Sequence, residues 1–528
     1  MIPLEQANRV DDAQARPNIL LVMADQLTAF ALSVYGNSVC KTPSIDALAR
    51  RSTVFVNAYC SYPLCAPSRF ALMTGRLPSR IKAYDNASEF PAAVPTMAHY
   101  LRAAGYYTCI SGKMHFVGPD QHHGYEDRLT TEIYPADFSW VPPETYDEQS
   151  AEDSQPNEAP LGVSSVETIA DAGPLARSQQ IDYDDEVAQR AIQHLYDWKR
   201  YGDGRPLFMT VSFTQPHDPY VTTKKYWDLY PNEIIDGPIT PRIPLEEMDP
   251  HSRALYFHYG LNKFDVDDET YRRARRGYYG MISYIDEKLG ELLQALEDAG
   301  CADNTVVIFT SDHGDMIGER GLWFKKNLFE PSLRVPMIIH DPRNDHPTTV
   351  KAPVSLVDLL PTLVELSGQS TETLVTEVEG TSLVDLMSED QPDRTVFAEH
   401  IDGATVAPRV MVRRGRYKFV YSEAYPAQLY DLQDDPGEQV NLVESAEHSD
   451  VARAMLQLVR RQWDLVTLKA EVVKSQKARQ FINAAMHQGR EMIWEHYPNP
   501  IRDHTKFVRN GDRFPDVERR SYLPYSDY

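Results

Sequence analysis

The feature that most constrains this 528-residue chain is a regular alternation of short apolar segments with longer amphipathic ones. Residues 18–24 (NILLVMA), 207–213 and 306–310 are apolar runs bounded by polar residues, which is typical of strands buried on both faces. Residues 184–200 and 271–299 carry apolar side chains at three- and four-residue spacing, which predicts helices. This order predicts an α/β fold with a large, mostly parallel sheet between helices.

The pattern of apolar residues changes near residue 390, from alternating strands and helices to short strand patterns. We therefore predict three regions. Residues 17–385 carry the alternation and form the large α/β domain. Residues 390–490 combine short antiparallel strand patterns with a helical stretch and form a smaller C-terminal α+β subdomain. Residues 491–528, rich in Pro, Tyr and charge, are predicted as an extended tail, either a flexible end or an oligomerisation arm. The acidic, Pro-rich segment 137–173 is predicted to be a long surface loop.

Charge and composition exclude several classes of function. The chain has 53 basic and 77 acidic residues and a net charge of -24, which disfavours binding to nucleic-acid phosphates. No apolar run approaches the ~18 residues of a membrane span, and the N-terminal segment lacks the apolar run of a secretory signal. Five scattered cysteines are too few for a disulfide framework. We therefore expect a cytoplasmic globular protein that binds neither nucleic acid nor membranes.

Polar side chains follow two of the predicted strands. Asp25 and Gln26 come directly after the strand at 18–24, and Asp312 and His313 follow the strand at 306–310. The carboxyl ends of parallel strands meet at one edge of a sheet, where functional groups collect. A single Asp at a strand end is more often a helix cap, but two such ends predict one divalent metal site, of the kind that suits Ca²⁺ or Mg²⁺.

The most specific motif is CAPSR at 65–69, followed by TGR at 74–76. Pro67 and Ser68 favour a helix start, which leaves Cys65 beside free backbone N–H groups that attract an anion together with Arg69. By itself this pattern indicates a thiolate nucleophile at an anion-binding helix terminus. A cysteine-based phosphatase needs a longer loop than the three residues that separate Cys65 from Arg69, so that class is excluded.

The motif resembles the Cys-x-Pro-Ser-Arg and Thr-Gly-Arg maturation motif of the type I sulfatases of the alkaline-phosphatase superfamily, and it matches at every fixed position. The resemblance extends from Pro17 to about residue 440. It implies that a separate formylglycine-generating enzyme oxidises Cys65 to formylglycine. It also implies hydrolysis of a sulfate ester: a hydroxyl of the hydrated formylglycine attacks sulfur, the alcohol leaves, and the formylglycine–sulfate hemiacetal collapses to release sulfate.

The resemblance also assigns roles to other side chains. Lys113 is implied to hold the sulfate, and His115 is implied to be the base for collapse of the hemiacetal. Either His217 or Lys325 is implied to protonate the leaving alkoxide. The metal is implied to be Ca²⁺, with Mg²⁺ as the alternative because two neutral ligands lower the carboxylate count. Its implied ligands are Asp25, Gln26, the residue made from Cys65, Asp312 and His313.

Within the family, the segments 61–69 (SYPLCAPSR), 112–121 (GKMHFVGPDQ) and 312–323 (DHGDMIGERGLW) resemble bacterial choline sulfatases. A site for a quaternary ammonium needs aromatic faces and a nearby negative charge. The resemblance implies that Trp140 and Asn86 contact the substrate. Gly403 stands where choline sulfatases carry an acid, and the adjacent Asp402 is the predicted replacement.

Three alternatives stay open at this point. Other alkyl sulfates or sugar sulfates fit the same chemistry, and a phosphonate monoester or phosphodiester hydrolase of the same superfamily uses similar residues. An inactive binding module would need a lost nucleophile or a broken metal set, and the sequence shows neither. The predicted partners are a small sulfate ester, the formylglycine-generating enzyme and further copies of the chain in a dimer or tetramer. His122 and His123 are predicted to be surface groups without a role.

Overall fold

A computed structural model describes residues 16–142, 164–344, 346–490, 493–498 and 514–523. Most of the predicted loop at 137–173 and most of the tail therefore lie outside the described residues. The described strands are β1 (Asn18–Ala24), β2 (Thr53–Phe55), β3 (Ala58–Tyr59), β4 (Tyr107–Gly112), β5 (Asp127–Arg128), β6 (Gly173–Leu175), β7 (Leu207–Ser212), β8 (Val221–Thr223), β9 (Thr305–Ser311), β10 (Arg334–Val335), β11 (Met337–His340), β12 (Thr348–Val350), β13 (Val354–Ser355), β14 (Thr395–His400), β15 (Arg409–Arg414), β16 (Tyr417–Ser422) and β17 (Gln428–Asp431).

Helices cover this set of strands on both sides. The described α-helices are α1 (Pro43–Ala49), α2 (Cys65–Thr74), α3 (Met97–Ala103), α4 (Val166–Ala170), α5 (Gln179–Tyr201), α6 (Lys224–Trp227), α7 (Pro250–His258), α8 (Asp268–Asp298), α9 (Glu330–Leu333), α10 (Leu359–Leu366), α11 (Ser449–Gln462), α12 (Leu465–Met486) and α13 (Phe514–Ser521). None of the described helices combines the length and the apolar character that crossing a membrane requires.

The large sheet has eight strands in the order β12-β2-β11-β9-β1-β7-β4-β5. Its centre is parallel, because β1 pairs in parallel with β7 and β9, and β4 pairs in parallel with β7. Strand β11 runs antiparallel to both β9 and β2. The segment between β9 and β11 contains no helix long enough to cross the sheet, so the chain returns in the opposite direction. The predicted α/β class with a large, mostly parallel sheet is confirmed.

Strand β1 contributes to a core on each face of this sheet. Leu20, Val22 and Ala24 face the core that α5 and α8 cover. Ile19, Leu21 and Met23 face the other core, to which α2, α3 and α10 contribute apolar side chains. An uninterrupted apolar run is what a strand needs when both of its faces are buried. The three-layer arrangement fixes where each strand ends, and therefore where the polar residues after it lie.

The C-terminal region forms a second, antiparallel sheet in the order β14-β15-β16-β17, as predicted, with α11 packed against it. Its apolar core includes Tyr62 and Leu64, which lie just before α2. This sheet therefore supports the segment that leads into Cys65. In the described part of the tail, α13 packs on its own chain: Phe514 joins the core on the α8 side, and Arg519 pairs with Asp171 at 2.6 Å.

Candidate active site

The candidate site lies at the carboxyl edge of four neighbouring strands. Asp25 follows β1, Asp312 follows β9, Lys113 follows β4 and His217 lies a few residues beyond β7. These strands are consecutive in the sheet, in the order β9-β1-β7-β4. Because their ends meet at one edge, side chains nearly three hundred residues apart in the chain come together.

Cys65 is the first residue of α2, and the helix is bound to this edge. The residue before Cys65 gives no side-chain cap, and the amide of Ala66 instead donates to Oδ1 of Asn86 at 3.0 Å. Ser68 Oγ donates to the backbone carbonyl of Asp312 at 2.5 Å. Arg69 Nε donates to Oδ2 of Asp312 at 2.8 Å. The Ser and Arg of the motif therefore fix the helix N-terminus against the strand ends.

Four ligand atoms converge beside this helix. A carboxylate oxygen of Asp25, a carboxylate oxygen of Asp312, the sulfur of Cys65 and a ring nitrogen of His313 all lie within 4.8 Å of one another, and all four residues are buried. His313 Nδ1 is hydrogen-bonded to the carbonyl of Gly314 at 2.9 Å, which leaves Nε2 facing the sulfur at 3.3 Å. Two carboxylates sharing a buried space with an imidazole fit a divalent cation.

Cationic side chains surround the four ligands. The Lys113 ammonium pairs with Oδ2 of Asp25 and lies 4.2 Å from the ring centroid of Tyr134. Lys325 Nζ lies 3.4 Å from the sulfur of Cys65. Burial opposes ionisation of Cys65, but Lys113, Lys325 and His313 outweigh it and lower the pKa of the thiol well below its usual value. The site is built to hold negative charge at position 65.

Gln26, the fifth predicted ligand, lies at the edge of this group. Its backbone is in the left-handed region (φ 66°), and its amide donates to Oδ1 of Asp312 at 3.0 Å. Its side-chain oxygen accepts from Lys325 Nζ at 2.5 Å, and its Nε2 donates to Asp315 at 2.6 Å. Gln26 thus connects the metal-ligand group, through its backbone N–H, to Lys325, through its side-chain oxygen.

His217 and Lys325 form a pair on the other side of the sulfur. Lys325 Nζ is 2.6 Å from Nε2 of His217, and His217 Nδ1 is 2.8 Å from the carbonyl of Asp218. In this geometry Nδ1 of His217 donates a hydrogen bond to the carbonyl of Asp218. Nε2 then accepts a hydrogen bond from the ammonium of Lys325. Both side chains are buried, and Phe514 of α13 packs edge-on to His217 at 5.9 Å between ring centroids.

His115 approaches the site from the segment after β4. Its backbone is in the left-handed region (φ 59°), and its amide donates to Oε2 of Glu132 at 2.6 Å. Its ring stacks on Tyr134 at 4.7 Å and meets Trp140 edge-on at 5.9 Å. Burial lowers the pKa of His115, although the nearby Cys65 opposes this. The imidazole is therefore neutral near pH 7 and suited to accept a proton.

Sequence reasoning assigned no role to several residues that organise the site. Glu132 also accepts the amide of Met114 at 2.9 Å and pairs with Arg128 at 3.0 Å, so it fixes the loop of His115. Asp315 accepts from Gln26 at 2.6 Å and from Tyr220 at 2.7 Å. Asp315 lies in the segment 312–323 that resembles the family, but nothing in the spacing of either acid distinguishes it from a surface acid.

The three residues predicted to contact the substrate lie in three different environments. Asn86 lies beside the first turn of α2, and the partly exposed Trp140 lies beside His115. Asp402 is buried and pairs with Lys326 at 3.3 Å rather than with the group around Cys65. The contact of these residues with substrate stays a prediction.

The prediction that His123 is a surface group is wrong. Its ring is buried, stacks on Phe90 at 4.1 Å and meets Phe116 edge-on at 4.6 Å. Burial lowers the pKa of His123 to about 4, so it packs as a neutral aromatic ring. His122 is partly exposed and meets His496 of the tail at 5.2 Å.

Comparison with known proteins identifies the family of the chain. The sulfatase family profile matches residues 17–369, so the chain belongs to the sulfatase family. Two further profiles match: "N-sulphoglucosamine sulphohydrolase, C-terminal" at 318–464 and "Choline sulfatase enzyme C terminal" at 470–522. The chain is therefore a sulfuric-ester hydrolase of the alkaline-phosphatase superfamily, and the predicted family is confirmed. Membership implies a divalent metal and a formylglycine.

Individual relatives cover nearly the whole chain. A choline-sulfatase of Rhizobium meliloti is 42% identical over 517 residues, which cover 96% of this chain and 99% of that protein. An arylsulfatase of Clostridium perfringens is 29% identical and covers 82% of this chain and 92% of that protein. Among solved structures, a phosphonate monoester hydrolase of Agrobacterium radiobacter aligns with a TM-score of 0.66 and 25% identity, covering 87% of this chain and 96% of that one.

Proposed function

We propose that the chain hydrolyses choline-O-sulfate, or a small sulfate ester of similar shape, to the alcohol and inorganic sulfate. The observation that carries this proposal is the 42% identity to a choline-sulfatase across 96% of the chain. The match at 470–522 to the choline sulfatase C-terminal profile also supports it, because that segment lies outside the general sulfatase profile.

The proposed cofactors are Ca²⁺ and a formylglycine made from Cys65 by a formylglycine-generating enzyme. The convergence of Asp25, Asp312, His313 and position 65 within 4.8 Å supports a metal held by these residues, with Gln26 beside them. Once in place, the metal and the oxidised side chain supply a nucleophilic hydroxyl of lowered pKa.

The residues of the chain itself provide the charge and proton transfers around the sulfate. Lys113 and Lys325 place ammonium groups on two sides of position 65, where they stabilise the anionic transition state. The Lys325–His217 pair is positioned to deliver a proton of the Lys325 ammonium to the leaving alkoxide oxygen, either directly or by way of Nε2 of His217. The neutral His115 then accepts the proton whose removal releases sulfate. All of these groups are buried, and the exclusion of water strengthens their electrostatic interactions with the substrate.

The test compares kcat/KM for choline-O-sulfate with kcat/KM for an aryl phosphonate monoester, on protein produced together with a formylglycine-generating enzyme. We expect choline-O-sulfate to be favoured by about a hundredfold or more, equivalent to about 3 kcal/mol. A phosphonate hydrolysed equally well would contradict the proposed substrate class. Turnover of neutral alkyl sulfates without turnover of choline-O-sulfate would retain the sulfatase activity and reject choline.

The predicted dimer or tetramer, the cytoplasmic location and the division at 17–385, 390–490 and 491–528 stay predictions. Light scattering at several protein concentrations measures the oligomeric state.

A further inference from the structure

Lys326 has no role in the chemistry above, yet its ammonium is buried. Its Nζ lies 3.3 Å from Oδ2 of Asp402, and the two residues are 8% and 3% exposed. The other carboxylate oxygen of Asp402, Oδ1, has no hydrogen-bond partner among the residues that the structure describes. A buried ammonium and a buried carboxylate therefore compensate each other in this part of the molecule.

The ion pair is attached to the segment that leads into Cys65. The amide of Lys326 donates to the carbonyl of Pro63 at 3.1 Å. The amide of Asp402 donates to the hydroxyl of Tyr62 at 2.9 Å. Tyr62 and Pro63 lie three and two residues before Cys65, and Lys325, the neighbour of Lys326, contacts the sulfur. The backbone of both members of the pair is thus hydrogen-bonded to the segment that leads into Cys65.

The end of the Lys326 side chain lies against the backbone of Gly403. A Cβ built on Gly403 would lie 2.6 Å from Nζ of Lys326, so any side chain at this position would have to displace the end of the lysine. Gly403 has a left-handed backbone (φ 62°), which glycine adopts without strain. Where the family resemblance leads one to expect an acidic side chain, the chain has glycine, and the nearest atom to a Cβ built there is the ammonium nitrogen of Lys326.

The other charges near Lys326 do not restore a free negative charge. The charge of Asp85 acts on Asp402, but Arg479 holds Asp85 in a bidentate pair at 2.6 and 2.7 Å. On the other side, the charge of Lys326 disfavours protonation of His258 and His400, and burial lowers the pKa of both imidazoles. Arg409, which also disfavours protonation of His400, adds a further positive charge. The surroundings of Asp402 are therefore neutral to positive.

We propose that Lys326 is a specificity-determining residue: by neutralising Asp402, its ammonium weakens the selection of a cationic substrate over an uncharged one of the same shape. This inference rests on the proposed function, because it concerns the alcohol part of the same ester. A substrate cation has to compete with Lys326 for Asp402, and Lys326 itself repels that cation.

The test uses two esters of equal shape, choline-O-sulfate and 3,3-dimethylbutyl sulfate, in which carbon replaces the quaternary nitrogen. The measured quantity is the ratio of kcat/KM for the cationic ester to kcat/KM for the neutral ester. We expect Lys326→Met to raise this ratio about tenfold or more, because Asp402 becomes available to the cation. Asp402→Asn should lower the ratio, since it leaves the lysine uncompensated.

Two controls separate charge from packing. Lys326→Arg keeps the charge and should leave the ratio within about twofold of wild type. Lys477→Met removes an exposed lysine of α12 and should not change the ratio. If Lys326→Met fails to fold, Lys326→Gln offers a second uncharged side chain for the same measurement.

The proposal is overturned if the uncharged variant leaves the ratio unchanged or lowers it, or if Lys326→Arg raises it equally. These results are distinguishable from failure of the proposed function, which is read on the wild-type protein as turnover of the neutral ester alone. Even in that case, a gain of choline-O-sulfate turnover by Lys326→Met supports the inference, and its absence overturns it.

Discussion

The Nζ atom of Lys325 lies 2.6 Å from Nε2 of His217, and the same ammonium is 3.4 Å from the sulfur of Cys65. One proton donor therefore contacts both the nucleophile position and a histidine whose other nitrogen is fixed by the carbonyl of Asp218. This relationship supports the proposal that the pair supplies the proton for the leaving group, and it makes the role testable through the leaving group itself.

Lys325→Gln is expected to slow alkyl sulfates far more than aryl sulfates. An alkoxide needs a proton as it leaves, whereas 4-nitrophenolate is stable without one. Both esters lose the electrostatic stabilisation by the ammonium, and only the alkyl ester also loses its proton donor. We expect kcat to fall at least about a hundredfold more for choline-O-sulfate than for 4-nitrophenyl sulfate. His217→Gln, measured in parallel, shows which member of the pair delivers the proton. Equal losses on both esters would assign Lys325 to binding of the sulfate group instead.

Cys65→Ala is expected to abolish turnover while leaving the fold intact. Cys65 is the cysteine of the CAPSR motif and so the proposed site of conversion to the nucleophile, and alanine is compatible with the helix start of α2. Cys109→Ala is the matched control, because Cys109 is equally buried but lies within β4. Both variants should lose similar, small amounts of thermal stability, and only the first should lose activity. Normal turnover by Cys65→Ala would reject the mechanism.

Arg479→Met is expected to destabilise the protein by about 3–5 kcal/mol, because it leaves the buried carboxylate of Asp85 without its bidentate partner. Asp85 also accepts the amide of Ala87 at 3.0 Å, so the turn that carries Asn86 depends on α12. Arg453→Met breaks an exposed pair with Asp450 and should cost less than about 1 kcal/mol. Urea unfolding measures both, and equal losses would argue against a structural role of the Arg479–Asp85 pair.

Removal of divalent metal is expected to lower both activity and melting temperature. Asp25 and Asp312 place two carboxylates within 4.8 Å of each other, and a bound dication offsets their repulsion. Ca²⁺ at about 100 times its Kd should restore about 3 kcal/mol of stability to chelator-treated protein. Thermal unfolding provides a readout that does not depend on turnover. Equal stabilisation by Mg²⁺ would contradict the assignment of Ca²⁺, and no stabilisation by either would contradict the metal site.

Asp184 is expected to make stability depend on pH. It is fully buried, and burial raises its pKa to about 7, although the amides of Thr214 and Gln215 donate to it and oppose the rise. Since this pKa is higher in the folded state than in the unfolded state, the folded protein binds the proton more tightly. The associated stability is present below about pH 4 and is lost as the pH rises through about 7.

The measurement compares the free energy of unfolding of wild type and Asp184→Asn across this pH range. Wild type should lose up to about 4 kcal/mol more than the variant between about pH 4 and pH 7. Parallel pH profiles would show that Asp184 titrates normally.

Local sequence patterns were sufficient for much of the fold and for the centre of the site. The apolar run at 18–24 predicts a strand buried on both faces, and the structure shows alternate residues of β1 in two different cores. Asp25 and Asp312 could be placed together because parallel strands share an edge. The antiparallel direction of β11 could not be predicted, since it depends on how the chain after β9 returns.

The sequence by itself determined the class of the protein, because the residues from Cys65 to Arg76 and the acids after β1 and β9 are short patterns with one shared chemical explanation. Only the folded structure shows which charged side chains already have a partner of opposite charge. Asp402 and Lys326 are separated by 76 positions, and Asp85 and Arg479 by 394, so no local pattern reveals that each acid already has a buried cation. Burial removes the screening by water, and the partner that folding places beside a charged group then determines what it can bind.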